Sequence, residues 1–319
     1  MSSALGLAAD QPVPNAIPTA VGSRRTYTMA QSAFRRLGPY LFVLAFPAMG
    51  VLAVVRHTQL GVYGVYAAVA ATGLLAERLI PFVAVPAKRR GSQRSTDVLY
   101  LVTGPALYFA LQIMVLPGLH WLRDTVVGAH SVWPVALPVP AQAVLAILAV
   151  EFGYYWVHRL NHGDNIFWRS HRIHHSPENL DWLMGWRLHW LDEIMHHLVS
   201  RSIPMILLGV PPQVVAIVMV VISTHSMYPH LNADVHSGRL FNLLIDTPEI
   251  HRWHHLQDPK LAQLNFGGTI VLWDLVFGTY QKPGVPPEAL LGVPPKHRLP
   301  ENWFRQILAP WRQPGFAAS

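Results

Sequence analysis

The sequence predicts an all-α membrane protein: about four transmembrane helices in two hairpins, a further re-entrant or broken apolar hairpin, and a cytoplasmic helical cap that carries a histidine cluster. Three observations predict this fold class. Hydrophobic residues make up 51% of the 319 residues and charged residues 13%, about half of the roughly 25% found in soluble domains. Several apolar runs have the roughly 20 residues that a helix needs to cross a bilayer. Histidine-rich segments follow the fourth of these runs.

The composition also excludes several classes of function. The chain has no cysteine, which excludes disulfides, thiolate zinc sites, iron–sulfur clusters and thiol nucleophiles. The net charge of +7 is scattered among the apolar runs and forms no polar basic domain, so no nucleic-acid partner is expected. An excess of Lys and Arg in cytoplasmic segments explains the charge better.

Residues 1–38 are predicted to form a flexible N-terminal tail, 39–282 a single membrane-embedded domain and 283–319 an interfacial C-terminal tail. The first apolar stretch starts late, is long and lacks a small-residue cleavage site, so no signal peptide is expected. Within 301–311 the apolar residues form an amphipathic stripe, which either lies on the membrane surface or packs on the cap of the protein itself. They are Trp303, Phe304, Ile307, Leu308 and Trp311.

Four apolar runs are the candidate transmembrane helices: 40–55, 62–83, 98–119 and 139–157. A short polar break at 56–59 makes the first two a hairpin. The loop at 88–94 is the densest basic cluster of the chain, and the positive-inside rule places it in the cytoplasm. The N-terminus and the end of the fourth run then lie on the same side.

Histidines dominate the polar segments that follow the fourth run. Two motifs of the form H-x-x-H-H contain His171, His174 and His175, and His251, His254 and His255. Positions i, i+3 and i+4 share one face of an α-helix. An i, i+4 pair, His158 and His162, precedes the motifs, and His230 lies between them. Clustered imidazoles repel when protonated and need partners when buried, so this pattern predicts metal binding.

Two tripeptides next to the motifs have the pattern of a helix start, with a hydroxyl N-cap, a proline and an acid. They are Ser176-Pro177-Glu178 and Thr247-Pro248-Glu249. The second predicts that the motif at 251 lies on a helix. The motif at 171 is expected to end the preceding helix.

The apolar run 203–222 separates the two H-x-x-H-H motifs and is broken by Gly209-Val210-Pro211-Pro212. A single span here would place the motifs on opposite sides of the membrane. A proline pair breaks a helix, and a hairpin returns the chain to the side from which it came. We therefore predict a hairpin and one shared metal site.

Nine or ten imidazoles exceed what one ion can bind, so two metal ions are implied. Imidazole suits zinc, copper, iron and nickel, and the ligand type alone does not choose among them. A site at the mouth of an apolar bundle favours O2-dependent attack on a lipid C–H bond over hydrolysis of a water-soluble substrate. Iron is therefore the favoured metal.

The combined motifs closely resemble the fatty acid hydroxylase/sterol desaturase superfamily, in its bacterial type, of integral membrane non-haem di-iron oxygenases. The resemblance covers about 150–282 and is carried by His158-Arg-Leu-Asn-His162, His171-Arg-Ile-His174-His175-Ser-Pro-Glu, His230-Leu-Asn232, Thr-Pro-Glu-Ile-His251-Arg-Trp-His254-His255, Asn265-Phe-Gly-Gly and Trp273-Asp-Leu-Val-Phe-Gly-Thr-Tyr280. It implies histidine-bound irons that use O2 and two electrons to hydroxylate or desaturate a lipid chain or ring.

The resemblance also implies roles for individual residues. The implied metal ligands are His158, His162, His171, His174, His175, His230, His251, His254 and His255. His189 is either a further ligand or a neighbour of the ligands. Asn232, which matches a family residue, is expected to orient an imidazole, and Arg172, Arg252 and Asp274 are expected to support the cap. Glu151, His225 and His236 have no counterpart in the motifs and are also considered as supports of the ligands, with a bundle-facing position as the alternative for Glu151 and a gate or surface position for the two histidines. The acids considered for proton delivery are Glu151, Glu178, Asp181, Asp192 and Glu249.

The leading hypothesis is an O2-dependent lipid hydroxylase in the bacterial inner membrane, with a separate electron donor such as a ferredoxin, a cytochrome or a reductase. A lipid or sterol desaturase with the same iron site is the alternative. A membrane metal transporter is a third hypothesis, but transporters place ligands within their spans. The lipid itself stays open among fatty acyl chains, sterols, carotenoids, ether lipids and amino-lipids.

Overall fold

A computed structural model describes residues 26–312, except 86, 128–131, 164–165 and 286–287. Helices form nearly all of the regular structure in these ranges, where β-structure is limited to isolated bridges. The predicted all-α fold class is therefore confirmed. Residues 1–25 of the predicted N-terminal tail lie outside the described residues, and the rest of that tail leads into a helix from Met29.

The α-helices are, in chain order, α1 (Met29–Tyr40), α2 (Phe46–Val55), α3 (Gln59–Leu79), α4 (Ala87–Leu122), α5 (Val139–Asn161), α6 (Ile166–His175), α7 (Trp190–Glu193), α8 (Ile203–Leu208), α9 (Pro212–His225), α10 (Gly238–Leu244), α11 (Pro248–His254), α12 (Leu272–Phe277) and α13 (Trp303–Arg312). Segments of π-helix join α1 to α2 (Leu41–Ala45), follow α4 (Arg123–Val127) and join α7 to α8 (Ile194–Ser202). Short 3-10 turns lie at Trp182–Trp186, Leu261–Gln263 and Pro295–His297.

Four helical stretches are long and apolar enough to cross a membrane: Met29–Val55, Gln59–Leu79, Gln93–Thr125 and Val139–Asn161. They confirm the four predicted spans. The basic segment 88–94 was predicted as a loop, but it is helical and belongs to the first turns of α4. Lys and Arg are good helix formers, so a basic cluster at the end of a span does not by itself break a helix.

The broken apolar hairpin is present, but its first arm starts earlier than the predicted residue 203. One continuous helix, made of α7, the π segment and α8, runs from Trp190 to Leu208, and α9 forms the returning arm. The turn contains Gly209 in a left-handed conformation (φ 73°), followed by the two prolines. The hydropathy of residues 190–202 is low because charged and polar side chains interrupt this arm, and three of them lie one turn apart.

These three side chains, Glu193, His197 and Arg201, bind one another. His197 Nε2 lies 3.3 Å from a Glu193 carboxylate oxygen, and Arg201 Nη1 lies 2.9 Å from His197 Nδ1. Glu193 and Arg201 are buried, and the Arg201 guanidinium stacks on the ring of Tyr154 in α5. Mutual pairing is how charged groups are accommodated in an apolar bundle.

Two hydrophobic cores position the segments that carry histidines. One core joins α2, the π segment before it and α3 to the loop after α9, where Tyr228 and Leu231 precede and follow His230 in sequence. The other joins α5 to the hairpin of α8 and α9, with Val150 and Val218 fully buried. The end of α5 and the loop after α9 are therefore held on the same side of the bundle, where α3 ends and α4 begins.

The two predicted helix starts differ. Thr247 occupies the N-cap position of α11, as predicted. No helix begins at Ser176-Pro177-Glu178, so that prediction is wrong. The Ser176 hydroxyl instead donates to the Ile173 carbonyl (2.8 Å) and so closes the end of α6, which stops at His175 as expected.

The C-terminal helix α13 uses one face against the protein and leaves the other exposed. Tyr100 of α4 donates a hydrogen bond from its hydroxyl to Gln306 (3.2 Å), and Gln306 is buried. Phe304 is 70% and Trp311 54% exposed. One face of α13 therefore packs on the cap, and the other presents apolar side chains at the surface.

Candidate metal centre

Nine buried histidines form two adjacent groups. In each group one ring nitrogen from every residue lies within 4.8 Å of the others. The first group contains His158, His162, His171, His175 and His254, and the second contains His174, His230, His251 and His255. The groups touch, because the rings of His175 and His255 stack with centroids 4.5 Å apart. These are the nine histidines that the resemblance implies as ligands.

Each H-x-x-H-H motif contributes to both groups. From the motif at 171, His171 and His175 belong to the five-histidine group and His174 to the four-histidine group. From the motif at 251 the division is reversed, because His251 and His255 belong to the four-histidine group and His254 to the five-histidine group. Residues at i+3 and i+4 differ by about 100° around a helix, so neighbouring histidines point to different centres. Each motif therefore links the two groups. The prediction that its three histidines share one helix face did not reveal this division.

Four separate segments bring these rings together. α5 carries His158 in its last turn and is capped by His162, and α6 carries the first motif. The loop after α9 carries His230, and α11 carries the second motif with His255 at its C-cap. The i, i+4 geometry requires helix at 158–162, 171–175 and 251–255. The hairpin of α8 and α9 then returns the chain so that α11 can face α6.

The Nε2 atoms of these rings face one another at short range. In the first group the Nε2 atoms of His158 and His171 are 3.1 Å apart, and those of His171 and His175 are 3.2 Å apart. In the second group, Nε2 of His230 lies 3.1 Å from that of His174 and 3.1 Å from that of His251. Nitrogens at this spacing share either a proton or a cation.

The other ring nitrogen, Nδ1, has a fixed acceptor in several of these residues. His158 donates from Nδ1 to the Phe266 carbonyl (2.8 Å), and His254 donates from Nδ1 to the Leu264 carbonyl (3.0 Å). A neutral imidazole carries one proton, so Nε2 of these rings holds a lone pair. His230 Nδ1 likewise lies 3.3 Å from the Ser226 carbonyl. Such outer hydrogen bonds orient metal-binding imidazoles.

Two buried carboxylates face the Nδ1 side of one ligand in each group. Asp246 Oδ2 lies 2.9 Å from His251 Nδ1, and Asp192 Oδ1 lies 3.5 Å from His171 Nδ1. Burial raises the pKa of Asp192 to about 7 and that of Asp246 well above its usual value. A cation on the far side of each imidazole would favour the ionised carboxylate.

Burial keeps the candidate ligands neutral. Desolvation lowers the pKa of His171 and of His230 to about 3, and it lowers the pKa of His162 well below the usual value. Neutral imidazole is the form that binds metal. The histidines thus retain their lone pairs at any pH at which the protein is expected to work.

The donor arrangement fits two divalent metal ions. At a metal–nitrogen distance of about 2.1 Å, neighbouring ligands lie about 3.0 Å apart around an octahedral ion and about 3.4 Å apart around a tetrahedral one. The shortest spacings, 3.0 to 3.2 Å, fit neighbouring nitrogens on one ion. Lone pairs of His158 and His171 held 3.1 Å apart would repel without a cation between them. The all-nitrogen donor set suits iron, zinc, copper or nickel.

Two of the implied residues take other roles. His189 lies outside both groups, because its Nδ1 accepts from the Leu191 amide (3.2 Å) and its Nε2 donates to the Ile307 carbonyl (3.1 Å). It caps α7 and holds α13, so it is not placed as a ligand. Asn232 was expected to orient an imidazole, but its side chain pairs with both backbone groups of Val83 (2.9 and 2.8 Å) and so fixes the segment after α3.

The other residues expected to support the ligands lie at different depths. Glu151 is buried and accepts from the amides of Thr269 and Ile270 (2.7 and 3.3 Å) rather than from a histidine. His225 is buried and bonds the Asp246 carbonyl (2.9 Å), so it supports the second group through Asp246. The His236 side chain is 68% exposed and lies at the surface, which contradicts the expected supporting role.

The backbone around the ligands is held by the residues expected to support the cap. Asp274 accepts from the amides of Phe266 and Gly267 (2.7 and 2.8 Å), and this fixes the carbonyl that orients His158. Arg252 donates to the carbonyls of Leu231 and Ala233 (3.0 and 2.8 Å), beside His230. Arg172 is also buried, within the first motif on α6.

Of the acids considered for proton delivery, Asp192 is the one placed against a candidate ligand. Glu178 pairs with Arg298 near the surface, Asp181 caps the turn at Trp182–Trp186, and Glu249 accepts from the Ser237 amide. These three hold loops and helix ends. Asp246 was missed by the sequence reasoning. Its position directly before the Thr247-Pro248 helix start was the available signal.

His196 was also not assigned to the site. It is buried, and with His171 and Asp192 it forms a further set of close nitrogen and oxygen atoms. Asn161 contacts both His196 Nε2 (3.0 Å) and Asp192 Oδ1 (3.2 Å). Nε2 of His196 is therefore already engaged by the side-chain amide of Asn161, so His196 supports the first group and is not one of its ligands.

The chain matches the family described as fatty acid hydroxylase over residues 143–279. It is 30% identical to ornithine lipid hydroxylase OlsE of Rhizobium tropici over 254 residues, which cover 79% of this chain and 76% of the relative. It is 34% identical to alkylglycerol monooxygenase of Homo sapiens over 136 residues, which cover 43% of this chain and 30% of that relative. No solved structure matches significantly.

Proposed function

The chain belongs to the fatty acid hydroxylase family, and from this premise we propose that it is an O2-dependent hydroxylase of a membrane lipid with two irons at the histidine centre. Its relatives include an ornithine lipid hydroxylase and alkylglycerol monooxygenases. The overall reaction takes RH, O2, two electrons and two protons to ROH and water. Only about a third of each alkylglycerol monooxygenase is matched, so the substrate of those enzymes does not identify the substrate of this chain.

One observation carries the proposal: the five-histidine and four-histidine groups are buried, adjacent and joined by both H-x-x-H-H motifs. When bound there, a pair of irons supplies O2 activation and the abstraction of hydrogen from an unreactive C–H bond. His158, His230 and His254 present Nε2 because carbonyls hold their Nδ1 atoms. With metal bound, the carboxylates of Asp192 and Asp246 would be ionised next to the imidazoles of His171 and His251 and would raise the basicity of these rings.

We also propose that the histidine centre faces the cytoplasm of a bacterial cell. The start of α4 carries the densest basic cluster of the chain, at 88–94, and it lies on the side of the bundle where the ligands lie. The positive-inside rule then gives that side to the cytoplasm. A separate electron donor is part of this proposal, and the basic segment 88–94 is the segment proposed to dock it.

The experiment measures metal content and product mass on the purified full chain in detergent, supplied with O2, a reductase system and a lipid extract of the host. We expect about two irons per chain and one lipid that gains a single oxygen. His254→Ala and His174→Ala, one from each group, should abolish turnover and lower the iron content. The matched control is His120→Ala, an exposed histidine at the far end of α4.

Three other outcomes of this experiment would each lead to a different conclusion. A lipid that loses two hydrogens would replace hydroxylation with desaturation at the same site. Full turnover in both His254→Ala and His174→Ala would refute the site. Zinc with no change in any lipid, together with His171-dependent zinc uptake into sealed vesicles, would instead favour the transporter hypothesis.

A further inference from the structure

A cavity of about 390 Å³ lies beside the histidine centre. Its lining includes residues that follow the candidate ligands closely in sequence: Asn179 and Leu180 after His175, Asn232 after His230, Arg252 after His251 and Gln257 after His255. Its volume falls within the range of small-molecule sites, roughly 300 to 1,000 Å³. None of the nine candidate metal ligands lines this cavity.

The cavity lies at the level where the second span meets the cap. Phe82 and Val83 line it, and they follow Leu79, the last residue of α3. Leu180, Leu291 and Pro295 add further apolar wall. A site at the end of a span with apolar walls is accessible to an amphiphile whose chain lies in the bilayer.

Arg252 supplies the polar part of this cavity. It is 3% exposed, and its guanidinium carbon lies 3.7 Å from the centroid of the Phe82 ring. Both of its hydrogen bonds, to the carbonyls of Leu231 and Ala233, come from Nη2. Within the described ranges, Nε and Nη1 donate to no acceptor and no carboxylate lies within 4.0 Å of the guanidinium, so that Glu249 and Asp234, the carboxylates that act on its charge, do so only at longer range. A buried cation of this kind is costly unless an anion joins it.

Four other polar residues of the cavity, Asn232, Gln257, Glu178 and Arg298, are already paired. Asn232 bonds the backbone of Val83, Gln257 donates to the Val293 carbonyl (3.1 Å), and Glu178 pairs with Arg298 (2.7 Å) at the rim. The Glu178–Arg298 pair is neutral overall. The charge of Arg252 is therefore the one that the cavity presents to a ligand.

We infer that this cavity binds the anionic head of a lipid, a carboxylate or phosphate group attached to an apolar chain, with Arg252 as its anchor. The inference rests on the proposed function and deepens it, because it makes the substrate an acidic lipid. A guanidinium binds both oxyanions through charge-assisted hydrogen bonds. The carboxylate and the phosphate sources are separated by the probes below.

The test is isothermal titration of the metal-loaded full chain in non-ionic detergent, with matched detergent blanks. The probes are dodecanoate, dodecyl phosphate, dodecanol and dodecyltrimethylammonium. We expect saturable binding of one or both anions, and the stronger of the two identifies the head group. Dodecanol and the cation should bind at least about tenfold more weakly, since a charge-assisted hydrogen bond contributes about that factor.

Two variants locate the site. Arg252→Gln should weaken anion binding about tenfold or more, but it also removes the bonds to Leu231 and Ala233 beside His230. Ala289→Trp adds a large ring to the lining of the cavity without removing those bonds and should weaken binding similarly. The control Glu288→Trp places the same ring on an exposed neighbour that does not line the cavity, and should bind like the unmodified chain.

Equal binding of dodecanol and dodecanoate, or unchanged anion binding by Ala289→Trp, would overturn the inference. Metal content and lipid hydroxylation are measured on the same preparation. Loss of anion binding in Ala289→Trp with normal iron content supports the cavity. A preparation that hydroxylates lipid but binds neither anion refutes the cavity and leaves the proposed function intact, whereas anion binding without iron or turnover refutes only the function.

Discussion

At the scale of single residues, the centre depends on which nitrogen of each imidazole faces inward. The backbone carbonyls of Phe266 and Leu264 accept hydrogen bonds from the Nδ1–H groups of His158 and His254. The carboxylates of Asp192 and Asp246 face Nδ1 of His171 and His251. These outer partners lie outside the H-x-x-H-H motifs, Asp192 on α7 and the others on the loops before α11 and before α12. The pattern of ligands in the sequence therefore does not reveal them.

We predict that Asp246→Asn weakens metal binding at the second group. The substitution preserves the shape of the side chain but removes the negative charge 2.9 Å from His251 Nδ1. Loss of such an outer partner typically costs 10-fold to 100-fold in metal affinity. Iron content after dialysis against graded chelator measures the effect, with about one of the two irons released at lower chelator concentration.

Two controls accompany this variant. Asp258→Asn changes an exposed carboxylate that caps the turn after it, and it should retain both irons. His189→Gln changes a histidine outside both groups and should also retain them. If Asp246→Asn released no more iron than these controls, Asp246 would have no part in metal binding.

At the scale of helices, the hairpin from Trp190 is the element that unites the two motifs. Its first arm packs closely along α5, where Gly153 lies against the backbone of Ser200. A Cβ at position 153 would lie 2.9 Å from the Ser200 carbonyl oxygen. The absence of a side chain at this position permits the close approach of α5, which carries His158, to the hairpin.

We predict that Gly153→Ala destabilises the protein by about 1 to 3 kcal/mol, because the added methyl group overpacks the contact with a rigid backbone atom. This exceeds the roughly 0.5 to 1 kcal/mol that alanine gains over glycine in a helix. Thermal unfolding in detergent should show a melting temperature lower by several degrees.

The matched control is Gly64→Ala in α3, where nothing lies within 4 Å of the added Cβ. This variant should unfold at the same temperature as the unmodified chain or slightly above it. Equal stability of the two variants would show that α5 and the hairpin are not in close contact at Gly153.

At the scale of the whole molecule, two metal ions would join segments that are far apart in sequence. The first group alone draws on α5, α6 and α11, and the second adds the loop after α9. A ligand that binds only the folded state stabilises it by mass action. Metal binding is therefore expected to be a large part of the stability of the cap.

We predict that removal of metal with a strong chelator lowers the melting temperature of the unmodified chain. At a free metal concentration of 100 times the dissociation constant, binding contributes about 2.7 kcal/mol per site. Re-addition of iron should restore the melting temperature. The double variant His174→Ala/His254→Ala should melt at a low temperature that chelator does not change; an equal chelator response in both chains would mean that the metal binds elsewhere.

The sequence by itself determined the all-α class, the four spans and the nine histidines that meet at the centre, because hydropathy and helical spacing are local properties. It did not determine the start of the hairpin, since Glu193, His197 and Arg201 lower the hydropathy of a helix whose polar groups pair only after folding. It also did not determine the roles of Asn232, His189 and Asp246. Their partners come from distant segments, so only the tertiary structure decided which nitrogen faces the centre, how each motif divides between two groups, and where Arg252 lies buried beside a cavity.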